Sequence, residues 1–190
     1  KINLEGINNV DQIDIKNAKI LGYKIKHLGV AELENGKLIQ GVYPCLVKKE
    51  SHISNVNDVL NAIIIEGKPI GKLVIQGEGA GPGPTVSALV SDICSILKGN
   101  TNFPFSASQA NRKKITSLDL SDKIFSSYIR LDVLDKKGVL SSITKIMSKN
   151  QISVKRLIQN PFRSKKFASI IIVSHKAKNC NLVKCINELG

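Results

Sequence analysis

Glycine alternates with other residues through Gly77-Glu78-Gly79-Ala80-Gly81-Pro82-Gly83-Pro84-Thr85, directly before an apolar stretch. Glycines lack a Cβ, so such a run lets a ligand lie against the backbone. A helix starting there presents the positive end of its dipole and its free N–H groups to an anion. Thr85 stands where it can cap that helix or hydrogen-bond a ligand. The spacing is neither of the common phosphate loops: Pro82 and Pro84 break a G-x-G-x-x-G pattern, and no G-x-x-x-x-G-K string occurs. The competing reading is a tight turn with close strand–helix packing, and the glycines alone do not choose between the two.

A second candidate is Asp135-Lys136-Lys137-Gly138, between a strand-like and a helix-like run. A strand-to-helix turn of this kind suits a small zwitterion, with backbone N–H groups facing its carboxylate and an acidic side chain facing its ammonium. The competing reading is a plain turn in which Asp135 caps the helix and Gly138 relieves strain. His52 is a lone histidine in a polar connection, a setting more typical of a turn residue than of a catalyst, while His27 and His175 fall within strand patterns. No Ser/His/Asp arrangement is supported. The cysteines Cys45, Cys94, Cys180 and Cys185 form no C-x-x-C pair and the histidines lie far apart, so no metal site is expected. Four reduced thiols suit a cytoplasmic protein.

The elements that must position these residues fall into two blocks within 190 residues, a length that accommodates two small domains. Residues 9–20 carry a modest helical pattern. Two strand-like runs then flank Asn35-Gly36, the strongest short-range hairpin signal because both residues must take positive φ. After the polar stretch around His52, NAIIIEGKPIGKLVIQG reads as a second hairpin, and two adjacent hairpins suggest an antiparallel or mixed sheet. The Gly-rich run leads into a helix with Val86, Leu89, Val90, Ile93, Ile96 and Leu97 at helical spacing. Residues 99–124 lose periodicity and read as a linker. The last block runs β-α-β-β-α: SSYIRLDVLD, then a helix with Ile143, Ile146 and Met147, then ISVKRLIQNP and FASIIIVSH, then a helix with Leu182, Val183, Ile186 and Leu189 in register. A ferredoxin-like split βαβ unit has one more strand, which pairs beside the first, so this block is expected to have a bare edge.

Composition narrows the function classes. Apolar residues make up 42% and charged residues 23%, a globular balance. No apolar run approaches the roughly 18 residues of a membrane span, and neither a membrane nor a leader segment is expected. The net charge of +13 suggests nucleic acid, but only four of the 28 basic residues are Arg and aromatics are 4%, so phosphate forks and stacking platforms are scarce. No nucleic-acid partner is expected.

In order and spacing, EGI-x-x-V-x-x-x-D, GYKIKHLGVA, SHISNVNDVLNAI and QGEGAGPGPTVSALVSDI resemble the second half of homoserine dehydrogenase. YIRLDVLDKKGVLSSITKIMSKNQISVKRLIQ resembles the ACT domain that follows in many bacterial members. The resemblance runs from Glu5 to about Leu189 and implies an α/β (α+β) fold. A mixed-sheet portion of a dehydrogenase substrate/dimerisation domain at 1–99 is followed by a linker at 100–125. A ferredoxin-like βαββα(β) ACT domain, its last strand missing, occupies 126–190. It implies an oxidoreductase interconverting L-homoserine and aspartate 4-semialdehyde with NADP or NAD, whose Rossmann domain and catalytic residues lie upstream of this segment. No catalytic residue is therefore named in the chain.

By the same resemblance Gly81 matches the glycine that touches the dinucleotide, with Gly79, Ala80 and Thr85 as neighbours, and His52 matches a histidine near the active cleft. Asp135, Lys136, Lys137 and Gly138 match the effector loop and Gln159 ends the next strand, with L-threonine as the expected effector. Lys137 stands where many relatives have Pro, which loosens φ in that turn. A homo-oligomer, dimer or tetramer, is implied. The alternative is a stand-alone amino-acid-binding ACT module without activity, which has no need of GEGAGPGPT.

Overall fold

The structure is a computed structural model that describes residues 2–100, 114–161 and 167–190. Residues 1–46 and 115–190 form one compact unit, and 47–114 form a second.

In the first unit, β1 (Asn3–Leu4) is followed by α1 (Gln12–Ile20), β2 (Tyr23–Glu34) and β3 (Lys37–Lys48). Asn35 and Gly36 take φ of +50° and +75°, as the Asn-Gly signal requires. β1 runs parallel to β3, with Asn3 opposite Gly41, giving a mixed sheet in the order β1-β3-β2. α1 starts where the Asp14 carboxylate accepts the Asp11 N–H at 2.8 Å, half of a capping box.

The second unit holds a 3-10 turn at His52–Asn55, then β4 (Leu60–Gly67), β5 (Gly71–Glu78) and α2 (Pro82–Leu97). β4 and β5 pair without a break from Leu60 opposite Glu78 to Gly67 opposite Gly71. They form a two-stranded sheet of their own, so the two hairpins do not share one sheet. The register that closes each hairpin is local, whereas joining the two depends on neighbours that no local signal encodes.

The C-terminal block comprises β6 (Ile124–Phe125), β7 (Tyr128–Leu134), α3 (Val139–Lys149), β8 (Val154–Pro161), β9 (Phe167–Ser174), β10 (Ala177–Lys178) and α4 (Asn179–Leu189). β7, β9 and β8 form an antiparallel sheet in that order, which leaves β7 at an edge as expected. Side chains alternate across β9. Ile170 and Ile172 pack with Ile129, Ile143, Met147, Ile152 and Cys185. Ile171 and Val173 pack with Leu21, flanked by Tyr23, Leu46, Tyr128 and Ile158. One face of this sheet thus meets α3 and α4, and the other meets α1 and the β2–β3 hairpin.

Two details depart from the sequence reading. α4 turns Leu182, Cys185 and Leu189 toward the core, with Cys185 fully buried, while Val183 and Ile186 stay about half exposed. A small apolar thiol fills a position that a pattern of aliphatic residues passes over. Of the stretch read as a linker, residues 101–113 lie outside the described residues. Its C-terminal part is tied down: Leu38 exchanges backbone hydrogen bonds with Thr116 and Leu118, each 2.9 Å, and β6 pairs with β10.

Candidate functional site

The first site grows out of the β4–β5 hairpin. Because Leu60 lies opposite Glu78 and the Gly79 N–H donates to the Val59 carbonyl at 3.4 Å, the start of β4 and the exit from β5 share one end of the hairpin. The 3-10 turn carrying His52, which is exposed, lies five residues before β4. A Cβ at Gly79 would run into the Asn61 side chain, and Gly81 has φ of +115°, a conformation that L side chains rarely adopt. Gly79 and Gly81 therefore answer a geometric demand, whereas Gly77 and Gly83 face open space.

Gly81 is the N-cap of α2 and no side chain caps it. Thr85 instead lies one turn in, where its hydroxyl donates to the Gly81 carbonyl at 2.8 Å, so the capping role expected for it is not taken. Pro82 and Pro84 carry no N–H, and the Thr85 N–H bonds the Gly81 carbonyl at 3.3 Å. The helix end keeps its dipole but loses most of the donors that would cradle a phosphate. What it offers a ligand is the bare backbone of residues 79–83.

The second site is the turn between β7 and α3. Residues 135–138 are all exposed, and Gly138, at φ +91°, is the N-cap of α3 with no side chain capping it. Asp135 therefore does not serve as the cap. The positive φ explains why glycine stands there. Gln159 lies on β8 opposite Ile170, which in turn lies opposite Leu131 on β7. The register thereby places Gln159 level with the middle of β7, two strands across and three residues short of the strand end where the turn begins, so the sheet does not bring it directly beside 135–138.

A third cluster escaped the sequence reading altogether. Asp14, 3% exposed, accepts the Tyr128 hydroxyl at 2.7 Å and pairs with Arg130 Nε at 3.1 Å. The same guanidinium reaches Asp11 at 2.6 Å and Asp132 at 3.2 Å. Nearby, Asn160 Nδ2 donates to Asn17 Oδ1 at 3.0 Å, and Arg156 donates to the Leu21 carbonyl at 3.0 Å. Burial and the Asp14 carboxylate push the Tyr128 hydroxyl well above the ordinary tyrosine range. Burial alone would lower the Arg130 pKa, but Asp14, Asp132 and Asp11 together raise it. A cavity of about 800 Å³ opens beside this cluster, lined by Tyr43, Cys45, Lys123, Tyr128, Arg130 and Ile186 among others. None of the site residues expected from the sequence lines it. Of its two lysines, Lys123 and Lys155, the first is engaged, with Lys123 Nζ 2.9 Å from Glu32. The only advance signals of this cluster were charges at Asp14 and Arg130 within otherwise apolar patterns.

None of the cysteines is in a disulfide. Among the described residues no group of three His, Cys, Asp or Glu side chains is placed to hold a metal ion, and no helix is long and apolar enough to cross a membrane.

Comparison with known proteins bears on the first two sites. The homoserine dehydrogenase family model matches residues 1–94, and the ACT domain model matches 127–179. The chain is 31% identical over 189 residues to a homoserine dehydrogenase of Helicobacter pylori, spanning 100% of this chain and 44% of the relative. With that of Neisseria gonorrhoeae it shares 35% over 179 residues, 90% of this chain and 41% of the relative. Among solved structures, a homoserine dehydrogenase from Thiobacillus denitrificans superposes with a TM-score of 0.84 at 28% identity, covering 97% of this chain and 43% of that one. One from S. aureus gives 0.62 at 27% identity, covering 96% and 44%. The chain thus spans less than half the length of these relatives.

Proposed function

Since the chain belongs to the homoserine dehydrogenase family and carries its ACT domain, we propose that it is a segment of an oxidoreductase. That enzyme interconverts L-homoserine and L-aspartate 4-semialdehyde with NADP or NAD, and its ACT domain gives feedback control by an amino acid, L-threonine. The segments divide at 1–99, 100–125 and 126–190 in this reading. The reaction belongs to amino-acid biosynthesis leading to threonine, methionine and isoleucine, and its setting is the cytoplasm.

The observation that carries the reading is the bare glycine turn leading into an uncovered helix. Val86, Leu89, Val90, Ile93, Ile96 and Leu97 on α2 are each more than half exposed, and no residue of that helix is buried. Such a helix makes physical sense as the floor of a larger enzyme, covered by the part of the relatives this chain does not span. An independent amino-acid-binding module has no use for it.

The turn fits one edge of a nicotinamide dinucleotide: Gly81 and Gly83 leave room against the backbone, while Asn61 already lies against Gly79, and no acidic side chain caps α2 to repel a phosphate. When bound, the cofactor supplies the hydride exchange with the substrate carbon. Gly79, Ala80 and Gly81 would hold it by close approach, and Thr85 Oγ1, already donating to Gly81, keeps lone pairs for a donor on the ligand. His52 sits at the same end of the hairpin, near the cleft that this end would face. Asp135, Lys136, Lys137, Gly138 and Gln159 form the amino-acid site. Pairing of two copies through the bare edge of β7 would make a homo-oligomer.

The test joins this chain to the part of the Helicobacter pylori relative that it does not span. The chimaera should oxidise L-homoserine with NAD(P), the chain alone should not, and Gly81→Val in the chimaera should abolish turnover while leaving its folding intact. A folded chimaera with no activity, or full activity in Gly81→Val, would overturn the reading.

A further inference from the structure

The two strands that carry the amino-acid site also grip α1 from their opposite face. On β7, the turn 135–138 follows directly, while Tyr128 and Arg130 hold Asp14 and Asp11. On β8, Gln159 precedes Asn160, which holds Asn17, and Arg156 holds the carbonyl that ends α1. The gripped residues Asp14 and Asn17 are buried, whereas Ile15 and Ile20 on the same helix are exposed. α1 is therefore held by directed hydrogen bonds, which change in discrete steps rather than by sliding.

Ser169 supplies the second arrangement that such a device needs. It lies on β9 on the same face as Ile171 and Val173, directly between Asp132 on β7 and Asn160 on β8. Its hydroxyl is buried and, among the described residues, is the side-chain polar atom left without a partner. Both cross-strand neighbours are drawn away from it, Asp132 to Arg130 and Asn160 to Asn17. Asp132 bonds Arg130 on its own strand, so only Asn160 could exchange a bond to α1 for a bond to Ser169 within the sheet.

Resting on the reading of 135–138 and Gln159 as an amino-acid site, we propose that α1 is the element by which the ACT sheet passes ligand binding to the N-terminal segment, with Asn160 switching between Asn17 on α1 and Ser169. Asn160 stands one residue after Gln159 on β8, so a ligand held by Gln159 bears directly on the residue that switches. The residues of the grip are positioning residues, and coupling is the difference between two arrangements that a ligand biases.

Calorimetry of this chain with L-threonine reads binding, and hydrogen exchange reads residues 12–20 and 135–142 separately. L-Threonine should bind and change exchange in α1 about fivefold or more. Ser169→Ala, which removes the alternative partner at the loss of one atom, should leave binding intact and abolish the ligand-dependent change in α1. Tyr128→Phe should loosen α1 equally with and without ligand. Binding that protects 135–142 while α1 exchange stays unchanged would overturn the α1 coupling and leave the amino-acid site standing. An unaltered α1 response in Ser169→Ala would overturn the switch. Absence of binding would overturn both the site and the coupling.

Discussion

β9 and α2 carry comparable runs of aliphatic side chains and meet opposite fates. In β9 every residue from Ala168 to Ser174 is buried, sandwiched between α3–α4 on one face and α1 with its hairpin on the other. In α2 none is buried, although the apolar spacing is as regular. The comparison teaches that aliphatic periodicity announces a covered face without saying what covers it. For β9 the cover is folded from the same chain; for α2 the described residues bury none of the helix.

The sharpest way to break this contrast is a pair of cavity substitutions. Ile172→Ala, at a fully buried position, should cost about 3 kcal/mol in denaturant unfolding, whereas Ile93→Ala in this chain should change stability by no more than about 0.5 kcal/mol. In the chimaera the second value should rise to about 2 kcal/mol as α2 becomes covered. Equal costs in the isolated chain would mean that α2 is already packed.

The grip on α1 gives the next largest effect. Tyr128→Phe removes a hydrogen bond to a buried carboxylate and should cost about 1.5 kcal/mol near neutral pH. Its pH dependence has a definite sign. The folded state holds the Tyr128 proton more tightly than the unfolded state, so its contribution is whole below the ordinary tyrosine value of 10.0 and is lost as pH rises beyond it. Cys45 and Cys185, whose thiols burial pushes up from 9.0, act in the same direction. Stability should therefore fall from about pH 9 upward, and the fall above pH 10 should be shallower in Tyr128→Phe. The smallest effect is a gain: Ser169→Ala removes an unpartnered buried hydroxyl and should stabilise the chain by about 1 kcal/mol.

What the sequence made legible was local. Asn35-Gly36 specified its turn through positive φ, and the β-α-β-β-α order of the last block followed from strand alternation and helical spacing. The exposure of residues 135–138 also followed from a turn between two patterned runs. The grip on α1 was not legible, because Asp14 and Tyr128 are 114 residues apart and Asn17 and Asn160 are 143 apart. No local propensity encodes a pair at that separation. Cys185 was missed because it packs as an apolar residue outside the aliphatic pattern, and Thr85 was misplaced because Gly81 took the cap. The Gly-rich turn was legible as geometry, while its N–H donors were overestimated until Pro82 and Pro84 were placed inside the first turn.

The division into 1–46 with 115–190, around 47–114, has a consequence for how the chain is born. At synthesis rates of about 5–20 residues per second, Asp14 waits roughly 6–23 s for Tyr128 to be made. During that interval α1 and the β2–β3 hairpin have no sheet to lie on. The nascent chain must therefore pass through a stage in which Leu21 and its neighbours on the hairpin are open to mispairing. Chaperone dependence should be concentrated there, before the last block leaves the ribosome and closes the first unit.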